Sequence, residues 1–448
     1  MLLAAAWQRL LVAGAAVAAL WAAVLFVAPS APSTDPARPA VLAAPAATQA
    51  PEAAPEPGAL RAVARAGQAA PGGGTFDRFD VVSQPVEAPV NARGQVAFYA
   101  TVLHAAAREG IFIAEAGRIA KAAAFGDAVP GGGTLAAFSD HPLPRLNAVG
   151  HVAFAAHIAG GRSPEGIFLA TEDGLRPIAL AGDDAPGIAQ GVLVGFNAPA
   201  LNDNDEIAVS AAVRRGRDTV DALYFWNGHR LSRVIAEGDL LLRVGGTVGA
   251  IGEPALNNAG VIAFPAAIVK GPVLGGIFVA GTRQLQLLTA AGDRAPSGPM
   301  ILRFSERIAI DDADAITFGA YLGEAGTTPR AAILRRDAGG LAEVAVEGGA
   351  APGGGRYAGF GPWPTAAPDG TVAFVAAIDG GAAPVAAFAG PPDAPAEAAA
   401  MGAALPRGGR VGRFVANAIA AVGPGGLVTI ATMGERPGER DAVLCRCP

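Results

Sequence analysis

Cysteine, histidine, aspartate and arginine are the residues here with chemistry to offer, and their spacing limits what that chemistry can be. The 448-residue chain has five histidines: His104, His141, His151, His157 and His229. None stands at H-x-x-x-H or H-E-x-x-H spacing, the arrangement that puts two imidazoles on one helix face for a metal. His151 and His157 flank one apolar segment and are expected to face solvent or a packing interface. The two cysteines are Cys445 and Cys447. In an extended strand their Cα atoms would lie about 6.6 Å apart, the upper edge for a disulfide, so an internal bridge would be strained. No histidine or further cysteine is near enough in sequence to complete a metal site. They read as two small residues in a terminal strand, with a link to another chain as the alternative.

Four aspartates, Asp127, Asp183, Asp239 and Asp293, each follow a glycine. They could form part of a carboxylate ring, but an aspartate in that setting more often caps its own turn. The runs Asn202-Asp203-Asn204-Asp205 and Asp311-Asp312-Ala313-Asp314 lack the glycine and terminal glutamate of a calcium loop. The glycine-rich stretches 71–75, 130–134 and 352–355 lack the Gly-Lys-Ser/Thr that a phosphate-cradling loop needs. G-x-S-x-G is absent. The sequence therefore nominates no catalytic residue, no metal ligand and no cofactor.

Arginine is what remains. Arg108, Arg162, Arg214, Arg215, Arg217 and Arg436 gather in segments of variable sequence. Binding residues concentrate on loops carried by a rigid scaffold, so these six are the candidate binding residues, suited to an acidic or polyanionic protein or polymer. The net charge of −6 weakens that inference, and exposed arginine also serves solubility. No basic stripe suggests nucleic acid.

These residues are positioned by a repeat. Asn91-Ala-Arg-Gly94-Gln-Val96-Ala97-Phe98 recurs six times, and the last residue of each block falls at 98, 154, 209, 264, 318, 374 and 430. A second line runs in phase: Gly110-Ile111-Phe112, Gly166-Ile167-Phe168, Ala222-Leu223-Tyr224, Gly276-Ile277-Phe278 and three weaker copies. A third is a glycine that closes an apolar segment, at 67, 126, 182, 238, 292, 348 and 402. Each unit of about 55 residues thus offers four short strands. Asn can open the first hairpin through its side chain, and Gly supplies the left-handed position. Asp205 and Asp314 replace that glycine, and aspartate tolerates the conformation better than most residues. Seven such units predict an all-β chain, a seven-bladed β-propeller with four-stranded blades over residues 59–448. The first repeated element, 60–67, is a fourth strand, and the last, 441–447, is a third. Pairing them would complete a seventh blade and hide two edges.

The motif line resembles the bacterial tandem-repeat proteins named for NxxGxxAF repeats, over residues 60 to 448 and most clearly in the first four blocks. The resemblance implies an exported or surface-attached repeat protein, and it brings no catalytic residue.

Residues 10–28 contain no polar side chain and are long enough to span a bilayer as a helix. Arg9 precedes them and no Lys or Arg follows until Arg38, which keeps the N-terminus inside and sends the remainder out. Residues 1–28 are expected to be a signal-anchor helix or, with cleavage after Ser30, a signal peptide. Residues 29–58 form a Pro/Ala linker. The expected location is the periplasm or cell surface, with anchoring in the inner membrane as one option. The expected role is binding or scaffolding of an unknown ligand; the alternative is a propeller hydrolase or lyase with a site on one face of the central channel.

Overall fold

The computed structural model describes residues 58–81, 84–138, 142–281, 285–324, 326–406, 409–434 and 440–447. The apolar run 10–28 and the linker up to residue 57 lie outside the described residues. The described part holds no α-helix, only a 3₁₀ turn at Pro424–Gly426. No helix among the described residues is long and apolar enough to cross a membrane.

The described strands form seven antiparallel sheets, numbered here as blades. Blade 1 runs Thr75–Phe76, Val96–Leu103, Glu109–Glu115 and Arg118–Ala124. The second strands of blades 2 to 7 are Val152–Ala159, Ile207–Arg215, Ile262–Val269, Ile316–Gly323, Val372–Asp379 and Leu427–Met433. The first strand of most blades is split. In blade 3, Gly191–Phe196 and Ala200–Leu201 both pair with Ile207–Arg215, one on each side of Asn197.

The repeat's apolar residues explain the packing. Directly opposed phenylalanines on the second and third strands meet within a blade: Phe98 with Phe112, Phe154 with Phe168, Phe264 with Phe278, Phe374 with Phe388. Their ring centroids are 5.9, 5.7, 5.8 and 5.5 Å apart. Because side chains alternate faces along a strand, Ala97 turns to the other side of blade 1. There it joins Ile111 in a cluster with Val152, Phe154 and Phe168 of blade 2. A large ring on one blade thus meets a small residue on its neighbour. Each buried ring contributes about 1.5–3 kcal/mol by area and an aromatic pair about 0.5–1.5 kcal/mol more.

The Asn hairpins follow the same local logic in every block that has Asn or Asp at the first position. The Asn202 carboxamide oxygen accepts from the N–H groups of Asn204 and Glu206, both at 3.0 Å. Asp205 and Asp314 sit at φ 58° and 61°, the left-handed conformation expected of them.

The seventh blade is built from both ends. Leu60–Arg65 pairs antiparallel with Ala442–Arg446, with Leu60 opposite Arg446 and Arg65 opposite Ala442. Cys445 and Cys447 differ from the expectation. The strand ends at Arg446 and the chain bends, bringing the two Cα atoms to 5.4 Å, and the cysteines are joined as a disulfide. The extended spacing assumed from sequence does not hold at the end of a strand.

Candidate functional site

The segment that leads into each hairpin lines the axis of the propeller. Counted back from the first residue of the N-x-x-G turn, the position four before it is Glu87, Leu143, Ala198, Glu253, Arg307, Trp363 and Ile419 in blades 1 to 7. Leu143, Ala198, Trp363 and Ile419 come from blades 2, 3, 6 and 7 and form one buried cluster. Blades 2 and 7 are not neighbours, nor are 3 and 6, so these side chains meet across the axis and stop the channel. Two residues nearer the turn, the ring is Pro89, Arg145, Ala200, Ala255, Ala309, Thr365 and Ala421. Four alanines leave space there. The result is a chamber of about 380 Å³, lined by all seven blades and within the size range of small-molecule sites.

The rim is the set of residues just after the turn's first position. Asp203 Oδ1 accepts from the Ala148 N–H at 2.7 Å, Asn258 Oδ1 from the Asp203 N–H at 2.9 Å, and Asp312 Oδ1 from the Asn258 N–H at 3.0 Å. Beneath it the turn asparagines staple blade to blade. Asn91, Asn147, Asn202 and Asn257 donate from Nδ2 to the carbonyls of Asn147, Asn202, Asn257 and Asp311, at 2.9, 3.3, 3.0 and 3.0 Å. Asparagine suits the position because its oxygen folds the hairpin while its amide reaches the next blade. Asp311 has no amide to donate, and its carboxylate instead accepts from Arg335.

The chamber's charges are paired across blades. Arg145 Nη1 donates to Glu87 at 2.7 Å, joining blades 1 and 2. Arg307 lies 3.0 Å from the Glu253 carboxylate, joining blades 4 and 5, and its guanidinium stands 5.7 Å from the Trp363 ring centroid. Burial pulls the Arg307 pKa down to about 10; the Arg145 charge pulls the same way, and Glu253 and Glu87 oppose it. Arg145 Nε and Nη2, the Trp363 indole N–H and Arg307 Nη1, which has Glu253 at ion-pair distance only, are buried without a hydrogen-bond partner. Buried donors are nearly always satisfied, so four unmet ones around a chamber are unusual.

The described arginines among those nominated from sequence lie at the other end of the blades, on or beside the connections between second and third strands. Arg108 sits over the Phe125 ring, 4.5 Å from its centroid. Arg162 pairs with Asp183 at 3.0 Å. Arg214, Arg215 and Arg217 share one exposed hairpin of blade 3, and Arg436 lies outside the described residues. The structure thus brings three together and distributes Arg108 and Arg162 over two other blades. The glycine-linked aspartates cap their turns: Asp127, Asp183, Asp239 and Asp293 accept from the N–H groups of Ala124, Leu180, Ala236 and Ala290, at 2.8, 3.2, 2.9 and 2.8 Å. His151 lies at a blade interface, with Nδ1 2.8 Å from Asp205 of the next blade. His141 is outside the described residues. Among the described residues no group of three or more His, Cys, Asp or Glu is placed to hold a metal.

Sequence reasoning passed over Glu87, Arg145, Glu253, Arg307 and Trp363. The signal was available: they are large or charged residues at two repeat positions where other blades carry small or aliphatic residues such as Ala198, Leu143 and Ile419.

Fold and chamber together define a seven-bladed propeller with a channel open at the hairpin face and plugged below. The chain belongs to the family of unknown function DUF7453, whose model matches residues 52–107, 102–275 and 267–438. No curated protein matches it in sequence. Among solved structures it is similar to an oligogalacturonate lyase in complex with manganese, at 9% identity and TM-score 0.47, over 84% of this chain and 96% of that one. A Hadza microbial sialidase gives 11% identity and TM-score 0.36, over 78% and 72%. An Aleuria aurantia lectin mutant in complex with Fucα1-6GlcNAc gives 11% and 0.32, over 70% and 93%.

Proposed function

We propose that this protein is an exported bacterial propeller of the NxxGxxAF type that binds a small ligand in the mouth of its central channel. One observation carries the reading: the segments leading into the seven hairpins place Arg145, Arg307, Glu87 and Trp363 in the lining of one chamber of about 380 Å³, with Glu253 paired to Arg307 behind it. A channel serving packing alone would be filled with apolar side chains, as the plug of Leu143, Ala198, Trp363 and Ile419 is. Binding is favoured over catalysis because the buried carboxylates Glu87 and Glu253 are each engaged by an arginine, the rim carboxylates Asp203 and Asp312 accept from backbone N–H groups, and Thr365, the sole hydroxyl among the lining residues, donates to the Ala420 carbonyl at 2.7 Å. Export is supported by the apolar run behind Arg9, and the Cys445–Cys447 disulfide suits an oxidising compartment. In this reading the N-terminal segment tethers the propeller to the membrane or is removed on the way out.

The test is native mass spectrometry of the full-length protein purified from its cells. A co-purifying small molecule should be retained when Arg214, Arg215 and Arg217 are changed to Glu and lost in Ala309→Phe, which fills the chamber. The opposite pattern would move binding to the arginine-bearing loops. For location, an alkaline phosphatase fusion after residue 58 should be active; an inactive fusion would refute export.

A further inference from the structure

We propose that the chamber's ligand is an organic monocarboxylate seated by Arg145; this rests on the chamber being the binding site. The guanidinium of Arg145 is half used. Nη1 is held by Glu87 at 2.7 Å, while Nε and Nη2 are buried with no partner in the protein. Nε and Nη2 form one edge of the guanidinium, two parallel donors at the spacing of two carboxylate oxygens, which is why arginine takes carboxylates bidentately. The rest of the Arg145 ring is Pro89, four alanines and Thr365. The Arg145 side chain therefore has room to turn its free edge into the chamber while its Nη1 stays near Glu87.

Charge narrows the ligand class. Arg145 and Arg307 are balanced by Glu87 and Glu253, and the rim adds Asp203 and Asp312. With four carboxylates against two guanidiniums, every negative charge a ligand brings is opposed, so a dianion such as phosphate or a polyanion is disfavoured more than a single carboxylate, whose entry the fork itself must drive. One carboxylate, taken by a fork already desolvated, restores partners that the fold withholds. Below the fork, Arg307 and Trp363 are both at least nine-tenths buried. The Trp363 indole N–H is a further unmet donor. The alanine walls and the Trp363 ring are apolar, which suits a compact organic body over a bare inorganic anion.

The experiment is thermal unfolding of the full-length protein with acetate, hexanoate, benzoate and indole-3-acetate, beside the matching uncharged amides and inorganic phosphate. At about a hundredfold excess over Kd, a binding carboxylate should raise the melting temperature by about 3 °C. Its amide and phosphate should not. Arg145→Lys keeps the charge facing Glu87 but loses the fork, and should weaken binding at least about tenfold. If amides protect as well as carboxylates and Ala309→Phe abolishes both effects, the chamber binds and the carboxylate assignment is wrong. Preference for phosphate, or unchanged affinity in Arg145→Lys, also overturns the assignment. If no probe protects, or if protection survives Ala309→Phe, the chamber reading fails with it.

Discussion

Asn202→Asp isolates the contribution of one interblade staple. Asparagine and aspartate have the same shape, and both can accept from the Asn204 and Glu206 N–H groups, so the hairpin is kept. What changes is Nδ2, which donates to Asn257 O at 3.0 Å and to the Glu206 carboxylate at 2.7 Å. In the variant an anionic oxygen would face a carbonyl and a carboxylate in a site that is 3% exposed. Two lost hydrogen bonds at about 1 kcal/mol each, plus about 1–3 kcal/mol for leaving the buried groups opposed, give about 4 kcal/mol. The unit Gly58–Pro448 should have an unfolding entropy near 0.8 kcal/mol per kelvin at about 2.1 cal/mol/K per residue, so the melting temperature should fall by about 5 °C. The loss should shrink near pH 4. Burial holds the introduced carboxyl's folded pKa above its unfolded value, so the part of the penalty due to ionisation is absent below about 4 and grows as pH rises, while one of the two lost hydrogen bonds stays lost at every pH. Circular dichroism melts at pH 4 and pH 7.5 measure both. A variant within 1 °C of the native protein at pH 7.5 would show that the staples add nothing, and the interblade ring would be geometry without energy.

Deleting residues 441–448 removes the partner of Leu60–Arg65 and should lower the melting temperature by more than about 5 °C; an unchanged melt would contradict closure of the seventh blade by the two chain ends. Phe154→Ala takes one ring from a stacked, fully buried pair and should cost about 3–5 kcal/mol, read as a shift in the denaturant midpoint. Tyr224→Phe should be neutral or slightly stabilising at pH 7, because the Tyr224 hydroxyl is buried without a partner. Burial pushes the Tyr224 and Tyr357 pKa values up to about 12. Between about pH 10 and 12 the unfolded chain therefore loses protons that the folded one keeps, and stability falls. Tyr224→Phe should flatten that fall in alkaline denaturation, whereas an identical pH profile would refute the assignment.

The architecture was legible because the blade repeats its constraints. Every hairpin needs a residue that turns the chain and one that tolerates positive φ, so Asn and Gly, or Asp205 and Asp314, mark the register openly. Closure could be read from the offset between the first and last repeated elements. The channel was hidden for the converse reason. Arg145 and Arg307 do not recur; they occupy positions whose residue changes from blade to blade, and a search for repeats discards what fails to repeat. The exposed arginines drew attention because they cluster in sequence, whereas the chamber's residues are about 55 positions apart and meet only when the blades close. The asparagine amide's reach to the next blade was invisible too, since the hairpin alone accounts for an asparagine.

The most direct test of the binding site is a crystal structure of the protein soaked with the carboxylate that most raises its melting temperature. Density is expected in the channel mouth, with both carboxylate oxygens on Arg145 Nε and Nη2 and the organic body toward Trp363. A fully occupied ligand on the loops bearing Arg214, Arg215 and Arg217, with the chamber unchanged, would contradict that placement.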